Sequence, residues 1–386
     1  METINLISLF LILFTYSVLF LIFKFNNIEK VIFNLIFVWH LFFCLIYYYY
    51  TLNIPTDSNS YYLSSLKKYY DFKLGAISII NFTRIFSYQL NFSYLDCFII
   101  FNFIGTLGIL FFYKSLVQIK NNDNFLNNVI FYSILFLPSM YFWSSAIGKD
   151  VFSFLSISIF VWSSFNLNDR IKYSILSIFI MLLVRPHISS IMCFSMIMAL
   201  IFYNNINLKN KFIYIFILFL ILLNITNYSL IYVGMTDLIS YYPFNINLNI
   251  LSDFINIREN KFISETAGVE ISNMNPIVKI FTYLYRPLPY EINSYFQLYV
   301  SIENVYLILL TLIGIFGFIF FNSKIITNQS IIMLVLYTII TIIILSFTSA
   351  NLGINSRQKW MILPVILILI FQFSPFNKKT FTINKV

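Results

Sequence analysis

Long apolar runs separated by short polar breaks repeat along most of this chain, and their lengths are those of membrane helices. A hydrocarbon core of roughly 30 Å takes about 20 apolar residues per helix. Runs that approach this length occupy residues 4–23, 31–50, 95–113, 127–145, 151–166, 172–184, 188–203, 212–234, 302–321, 331–347 and 359–373. The pattern predicts an all-α, polytopic integral membrane protein with eleven transmembrane helices, within a range of ten to twelve, as a single membrane domain over residues 1–386. The first run is expected to stay as a span: its leader carries Glu2, no Lys or Arg, and no small-residue cleavage pattern follows. Two stretches break the rhythm. Residues 51–94 are polar and then moderately apolar around Arg84, which suits an interfacial helix, and residues 235–301 form a second, larger loop.

Composition agrees with the pattern. The chain is 60% hydrophobic and 10% charged, with 46 Phe and 28 Tyr, far from the usage of a soluble domain. Charge then sets orientation, because short cytoplasmic loops retain Lys and Arg. With the C-terminal tail inside, that side receives Lys24, Lys30, Lys114, Lys120, Arg170, Lys172, Lys209, Lys211, Lys324, Lys378, Lys379 and Lys385 against Glu29, Asp123 and Asp169. The whole net charge of +9 is thereby absorbed by topology and gives no reason to expect nucleic acid. Both long loops fall outside. The inner loops are short and hold no nucleotide-binding domain.

Little conventional site chemistry is present. Cys44, Cys97 and Cys193 lie in or beside apolar runs without metal-ligand spacing, and are expected to pack. His40, in the middle of a span, suits a helix-to-helix hydrogen bond. No cofactor or metal site is expected.

The chemically informative residues are cations at the predicted outer helix ends. Arg185 interrupts the run IMLLVRPHISSIMCF, where Pro186 ends one helix and a cation favours the helix C-terminus. Lys149 precedes Asp150, which reads either as an N-cap pairing with that lysine or as part of a site. Arg286 lies between aromatic residues and prolines; Pro289 suits the first position of a helix whose first turn carries Glu291, an ordinary helix-start acid or a functional one. With Asn355 or Ser356 as cap, Arg357 and Lys359 would occupy a first turn, where the macrodipole disfavours cations and calls for an anion. Converging guanidinium groups suit phosphate oxygens, and Trp143, Tyr283, Tyr285 and Tyr290 would rim the pocket for sugar faces or headgroups. A lipid-linked pyrophosphate meets both demands.

The segment PSMYFWSSAIGKDVFSFLSI, the Arg-Pro-His of LLVRPHISS, YRPLPYE with Glu303 downstream, and NLGINSRQKWMILP resemble, in this order over residues 130–370, the Wzy-type oligosaccharide repeat-unit polymerases of bacterial surface polysaccharide assembly. Asp57 in DSNSYY resembles an acidic-tyrosine element in the first outer loop of such proteins. The resemblance implies a glycosyltransferase of the bacterial inner membrane with a periplasmic active site. It would pass a growing glycan from undecaprenyl pyrophosphate to the non-reducing end of a new lipid-linked repeat unit. Inner-membrane lipids and a chain-length regulator are the further partners implied. In that setting Arg185, Arg286 and Arg357, with Lys149, would neutralise the departing pyrophosphate, and Glu291 or His187 would take the acceptor proton, Glu291 being preferred. Asp57, Asp150, Trp143, Tyr285 and Tyr290 are the expected substrate-binding residues. Two other readings share the donor chemistry: an O-antigen ligase, and a lipid-linked oligosaccharide flippase, whose cations should lie at mid-membrane depth.

Overall fold

Backbone groups in hydrocarbon must be satisfied within the segment, and this chain answers with helices. A computed structural model describes residues 5–67, 73–202, 208–233, 256–257, 259–260, 267–292, 295–321 and 329–377. The helices are α1 (Leu6–Ile22), α2 (Asn27–Asn53), α3 (Asp57–Ser65), α4 (Ala76–Arg84), α5 (Tyr94–Ile119), α6 (Phe125–Leu135), α7 (Pro138–Trp143) and α8 (Lys149–Ser164). They continue as α9 (Leu167–Val184), α10 (Pro186–Phe202), α11 (Leu208–Val233), α12 (Pro276–Tyr285), α13 (Tyr295–Phe321), α14 (Gln329–Thr348), α15 (Leu352–Gln358) and α16 (Leu363–Phe373). Among the described residues there is no strand. Among the described residues one bridge, Gly268 to Asn351, ties the second long loop to the start of α15, with Leu352 N–H donating to the Ala267 carbonyl at 2.9 Å.

Helical segments stand at every one of the eleven predicted positions, but their lengths differ from the prediction. Among the described residues, six are long and apolar enough to cross a membrane, and α15 with α16, bent by 62°, makes a seventh where that pair is one broken span and not a re-entrant loop. The fold is thus an α-helical membrane protein. The shortfall has a physical origin: α1 and α10 have 17 residues and α8 has 16, about 25 Å at 1.5 Å per residue, while the 18-residue α9 opens with Asp169, Arg170 and Lys172. Local chemistry sets the boundaries. Asn26 and Glu29 form a capping box before α2, and Ser93 and Asp96 form one before α5. Asp96 also accepts from the Ser8 hydroxyl at 2.5 Å, joining α1 to α5.

α5 is buried along most of its length and packs most extensively on α8. Gly105 permits this: a Cβ there would lie 1.9 Å from the Ser144 carbonyl oxygen, so only glycine lets the segment after α7 cross so closely. Beside it, His40 bridges the Thr106 hydroxyl at 2.7 Å and the Ser144 hydroxyl at 3.1 Å, the interhelical role expected of it. Serines join α8 to α9 in the same manner, Ser156 donating to the Ser177 carbonyl at 2.7 Å and Ser163 meeting Ser174 at 2.6 Å. The three cysteines are buried and unpaired by disulfides, as expected of packing residues.

The two ends of the bundle differ in character. At one end Lys114 pairs with Glu29 at 2.5 Å, Lys120 pairs with Asp123 at 2.6 Å, and Asn377 bonds Ile119 and Asn127. These groups come from the side assigned to the interior. Lys324, Lys378, Lys379 and Lys385 lie outside the described residues, as do Arg258, Lys261 and Glu265 of the second outer loop. Within residues 51–94, the moderately apolar stretch folds as α4 followed by a π turn over Ile85–Gln89. The polar stretch before it, read as loop, contains α3.

Candidate functional site

The opposite end gathers most of the predicted site. Gly148 precedes α8, so Lys149 and Asp150 fall in its first turn, where an acid is favoured. Asp150 is therefore not the N-cap, and its carboxylate does not turn back to Lys149. Two residues join α8 to α9, which returns antiparallel until Pro186 opens a new helix and Arg185 caps the old one. That reversal sets Arg185, 5% exposed, over the start of α8. Its Nη2 lies 2.6 Å from Asp150 Oδ1, and its Nε donates to Ser153 Oγ at 3.2 Å. Ser153 is three residues beyond Asp150 and so shares its helix face.

Arg357 reaches the same carboxylate from α15. Its Nε donates to Asp150 Oδ2 and its Nη1 to Asp57 Oδ2, the latter at 2.6 Å. The expected cap is displaced: Asn351, not Asn355 or Ser356, accepts from Ile354 N–H at 3.1 Å and starts the helix. Arg357 consequently sits in the last turn, where the dipole favours a cation, and Lys359 begins a separate 3-10 turn. Asp57, the first residue of α3, is held nearby because the adjacent Ser58 donates to the Ile147 carbonyl at 2.8 Å. The chain Asp57–Arg357–Asp150–Arg185–Ser153 is thus continuous across three helices, α3, α15 and α8, and the C-cap of α9.

A cavity of about 190 Å³ opens beside this chain. Lys149, Arg185 and His187 line it on one side, with Thr348, Ser349 and Gln358 as further polar groups. Ile344, Leu345 and Ile354 supply an apolar wall. The His187 ring stacks on Tyr232, centroid to centroid at 5.7 Å. Three cations, Lys149, Arg185 and Arg357, here meet two carboxylates, Asp57 and Asp150. A local cationic surplus bounded by apolar side chains has the chemistry to attract an anion, since low surrounding polarity strengthens each charge interaction.

Arg286 and Glu291 form a separate arrangement. Arg286 Nη2 lies 2.5 Å from Glu291 Oε1, and its Nε lies 2.8 and 3.0 Å from the two carboxylate oxygens. Glu291 ends a 3-10 turn opened by Pro289, shorter than the helix expected there, and accepts from Leu288 N–H at 2.9 Å. Burial raises its carboxyl, but the Arg286 hydrogen bonds and the Leu288 amide overcome that and hold it below the usual glutamate value. Neither residue lines the cavity with Arg185. The expected convergence of three arginines is corrected to two, because Arg286 has its own acid five residues away.

No protein-family model, curated protein or solved structure matches the chain. The functional reading accordingly rests on the chemistry of the site.

The aromatic rim is dispersed. Trp143 packs edge-on against Phe142 and Tyr47, with centroids at 5.0 and 5.8 Å. Tyr285 bonds the Thr311 hydroxyl at 2.8 Å and faces a different, apolar cavity of about 550 Å³. Tyr283 is buried and Tyr290 is 81% exposed. Aromatic abundance throughout this chain explains the miss: a ring near a helix end packs on whichever rings adjoin it. A buried polar network joins residues whose connection was not expected, though Glu303 and Lys359 are both named above. Glu303 accepts from the Ser139 amide at 2.9 Å and from its hydroxyl, Trp360 donates to Ser139 Oγ at 3.0 Å, and Lys359 donates to Asn304, which reaches the Pro287 carbonyl at 3.0 Å. The pairing of buried Glu303 and Asn304 on α13 with Lys359 and Trp360 was available as a hint only in their polarity within apolar runs. Ser153, Gln358 and Tyr232 were likewise missed; of these only Ser153 had a signal, its spacing from Asp150.

Proposed function

We propose that this chain is a membrane glycosyltransferase that polymerises lipid-linked oligosaccharide repeat units. It would carry eleven spans in the bacterial inner membrane, with the cationic cavity at the periplasmic face and the C-terminus in the cytoplasm. The observation that carries the reading is the cavity in which Lys149, Arg185 and His187 meet, tied to Arg357 through Asp150. Its position, at the end opposite the Lys114, Lys120 and Arg170 cluster, suits an outer-face anion site better than a mid-membrane transport path.

The chemistry follows from the donor. The acceptor hydroxyl oxygen bonds to the anomeric carbon of the donor glycan, the bond from that carbon to the pyrophosphate oxygen breaks, and undecaprenyl pyrophosphate departs with the electron pair. Lys149 and Arg185 meet the developing negative charge directly. Arg357 holds Asp150 and so orients Arg185. The acceptor proton passes to a base, a contribution of typically 10²- to 10⁴-fold. His187 takes this role in the proposal, because it lines the cavity, whereas the bidentate pairing of Glu291 with Arg286 makes that carboxylate a poorer proton acceptor.

The test is the gel profile of surface glycolipid from a strain lacking this protein, complemented with wild type or with Arg185→Ala, membrane insertion being verified for both. Polymerisation requires a single-repeat product in the deletion and Arg185→Ala strains and a ladder only with wild type. Free lipid-linked polymer that never reaches the surface core would show a ligase, and absence of any repeat outside would show a flippase; either outcome overturns the proposal.

A further inference from the structure

A second, larger cavity adjoins the cationic one. It is a groove of about 740 Å³ whose walls are Leu182 and Pro186 on one side and Leu220, Ile221 and Ile225 of α11 on the other, a size within the roughly 300–1,000 Å³ of sites that hold small ligands. Tyr232 lines both spaces, and Pro186 stands between Arg185 and His187, so the two cavities meet at one aromatic ring. That ring is closely framed. Its neighbour on one side is His187, and on the other is Gly75, whose φ of 89° and missing side chain are both required: a Cβ there would lie 2.5 Å from Tyr232 Cε2. Gly75 is fixed in turn by its N–H, which donates to the Leu183 carbonyl at 2.8 Å.

α11 is also the most peripheral of the six long apolar helices, with 17% of its apolar window buried. The groove lies against this exposed helix, and Lys73 stands on its lining as a further cation. An apolar groove beside an exposed helix, meeting a cationic pocket at Tyr232, has the two-part chemistry of a lipid anion. The 550 Å³ cavity near Tyr285 lacks this second part, since no cation lines it.

We propose that the groove between α9 and α11 holds the isoprenoid chain of the lipid-linked pyrophosphate, with Tyr232 as the positioning residue at the junction of chain and headgroup. The proposal rests on the reading of the Lys149–Arg185 cavity as a pyrophosphate site. It adds the entry side, laterally past α11, and a residue that sets how deeply the chain is seated.

Full-length protein in lipid nanodiscs, carrying a benzophenone amino acid at Ile221 or, for comparison, at Ile315 of the other cavity, would be irradiated with radiolabelled undecaprenyl pyrophosphate. Label should concentrate at position 221 and be displaced by unlabelled undecaprenyl pyrophosphate but not by phosphatidylglycerol. Equal label at 315, or equal displacement by phosphatidylglycerol, would make the groove an ordinary lipid contact and overturn the assignment. Binding measurements separate the two levels. Ile221→Trp, which fills the groove, should weaken the lipid probe by roughly tenfold, on the scale of overpacking, while inorganic pyrophosphate binds as before. Arg185→Ala should weaken both probes. If Arg185→Ala weakens the lipid but Ile221→Trp does not, the groove assignment falls and the pyrophosphate site stands. If neither variant changes either probe, both fall.

Discussion

Two arginine–carboxylate arrangements sit near the same end of the molecule, and they use their acids differently. Asp150 is shared by Arg185 and Arg357, with Asp57 as a second partner for Arg357 and Lys149 left over beside them. Among the described residues Glu291 pairs with one cation, Arg286, through both oxygens. The first cluster holds more positive charge than its acids can balance, and a cavity opens beside it; the second is balanced one to one. On the proposed reading, the difference separates cations available to an external anion from a cation already neutralised by the fold. Counting arginines near helix ends, which made the two equivalent, was the wrong measure.

The largest expected effect breaks the shared acid. Asp150→Asn removes the buried negative charge and leaves Arg185 with neutral polar partners, the new amide and Ser153, and stripping the charged partner from a buried ion pair costs about 3–5 kcal/mol. Thermal unfolding in detergent should show this loss, and Arg185→Met in the same chain should recover part of it. A drop no larger than that of Glu291→Gln would mean that the two arrangements are energetically alike.

Next in size is the surplus cation. Lys149→Met removes charge from the cavity without breaking an ion pair of the described residues, so stability should change little while turnover with lipid-linked substrate falls about 10²-fold, as for loss of one transition-state charge partner. Lys149→Arg should restore much of it. An unchanged rate in Lys149→Met would remove the surplus from the chemistry.

These contrasts also mark what could be read in advance. The apolar periodicity located a helical segment at every predicted span, because lipid exposure forces long apolar runs into helices. The Arg-Pro break at residues 185 and 186 was equally legible, since proline cannot continue a helix whatever surrounds it. Asp57, Lys149, Asp150, Arg185, His187 and Arg357 were all singled out and are brought together. Their connections were not legible. Asp57 and Arg357 are 300 positions apart and meet only through tertiary packing. The position of Arg357 on its helix was reversed because Asn351 and Asn355 are both good caps, and the bridge from Gly268 to Asn351 decides between them. The aromatic rim failed for the opposite reason, too many equivalent rings.

The choice of base gives a smaller, sharper test. His187→Gln should abolish polymerisation, whereas Glu291→Gln should retain it and cost less than about 1 kcal/mol of stability through the weakened pairing with Arg286. Full loss of activity in Glu291→Gln with normal unfolding behaviour would return the base role to that residue.

The smallest effect is the pH response of the Arg286–Glu291 pair. Its carboxyl is held below the ordinary glutamate value in the folded protein. The folded state therefore binds its proton less readily than the unfolded chain does, so the contribution to stability is complete above the unfolded value, near 4.3. It is lost as pH falls through the lower, folded value. Between pH 7 and 5 the difference in stability between wild type and Glu291→Gln should stay constant, and below about pH 4 it should shrink. Because the pair is partly solvated, screening holds this change to less than about 1 kcal/mol. A difference that already shrinks between pH 7 and 5 would mean that Glu291 gains a proton in the neutral range, which would make it competent as a base and close the gap between the two arrangements.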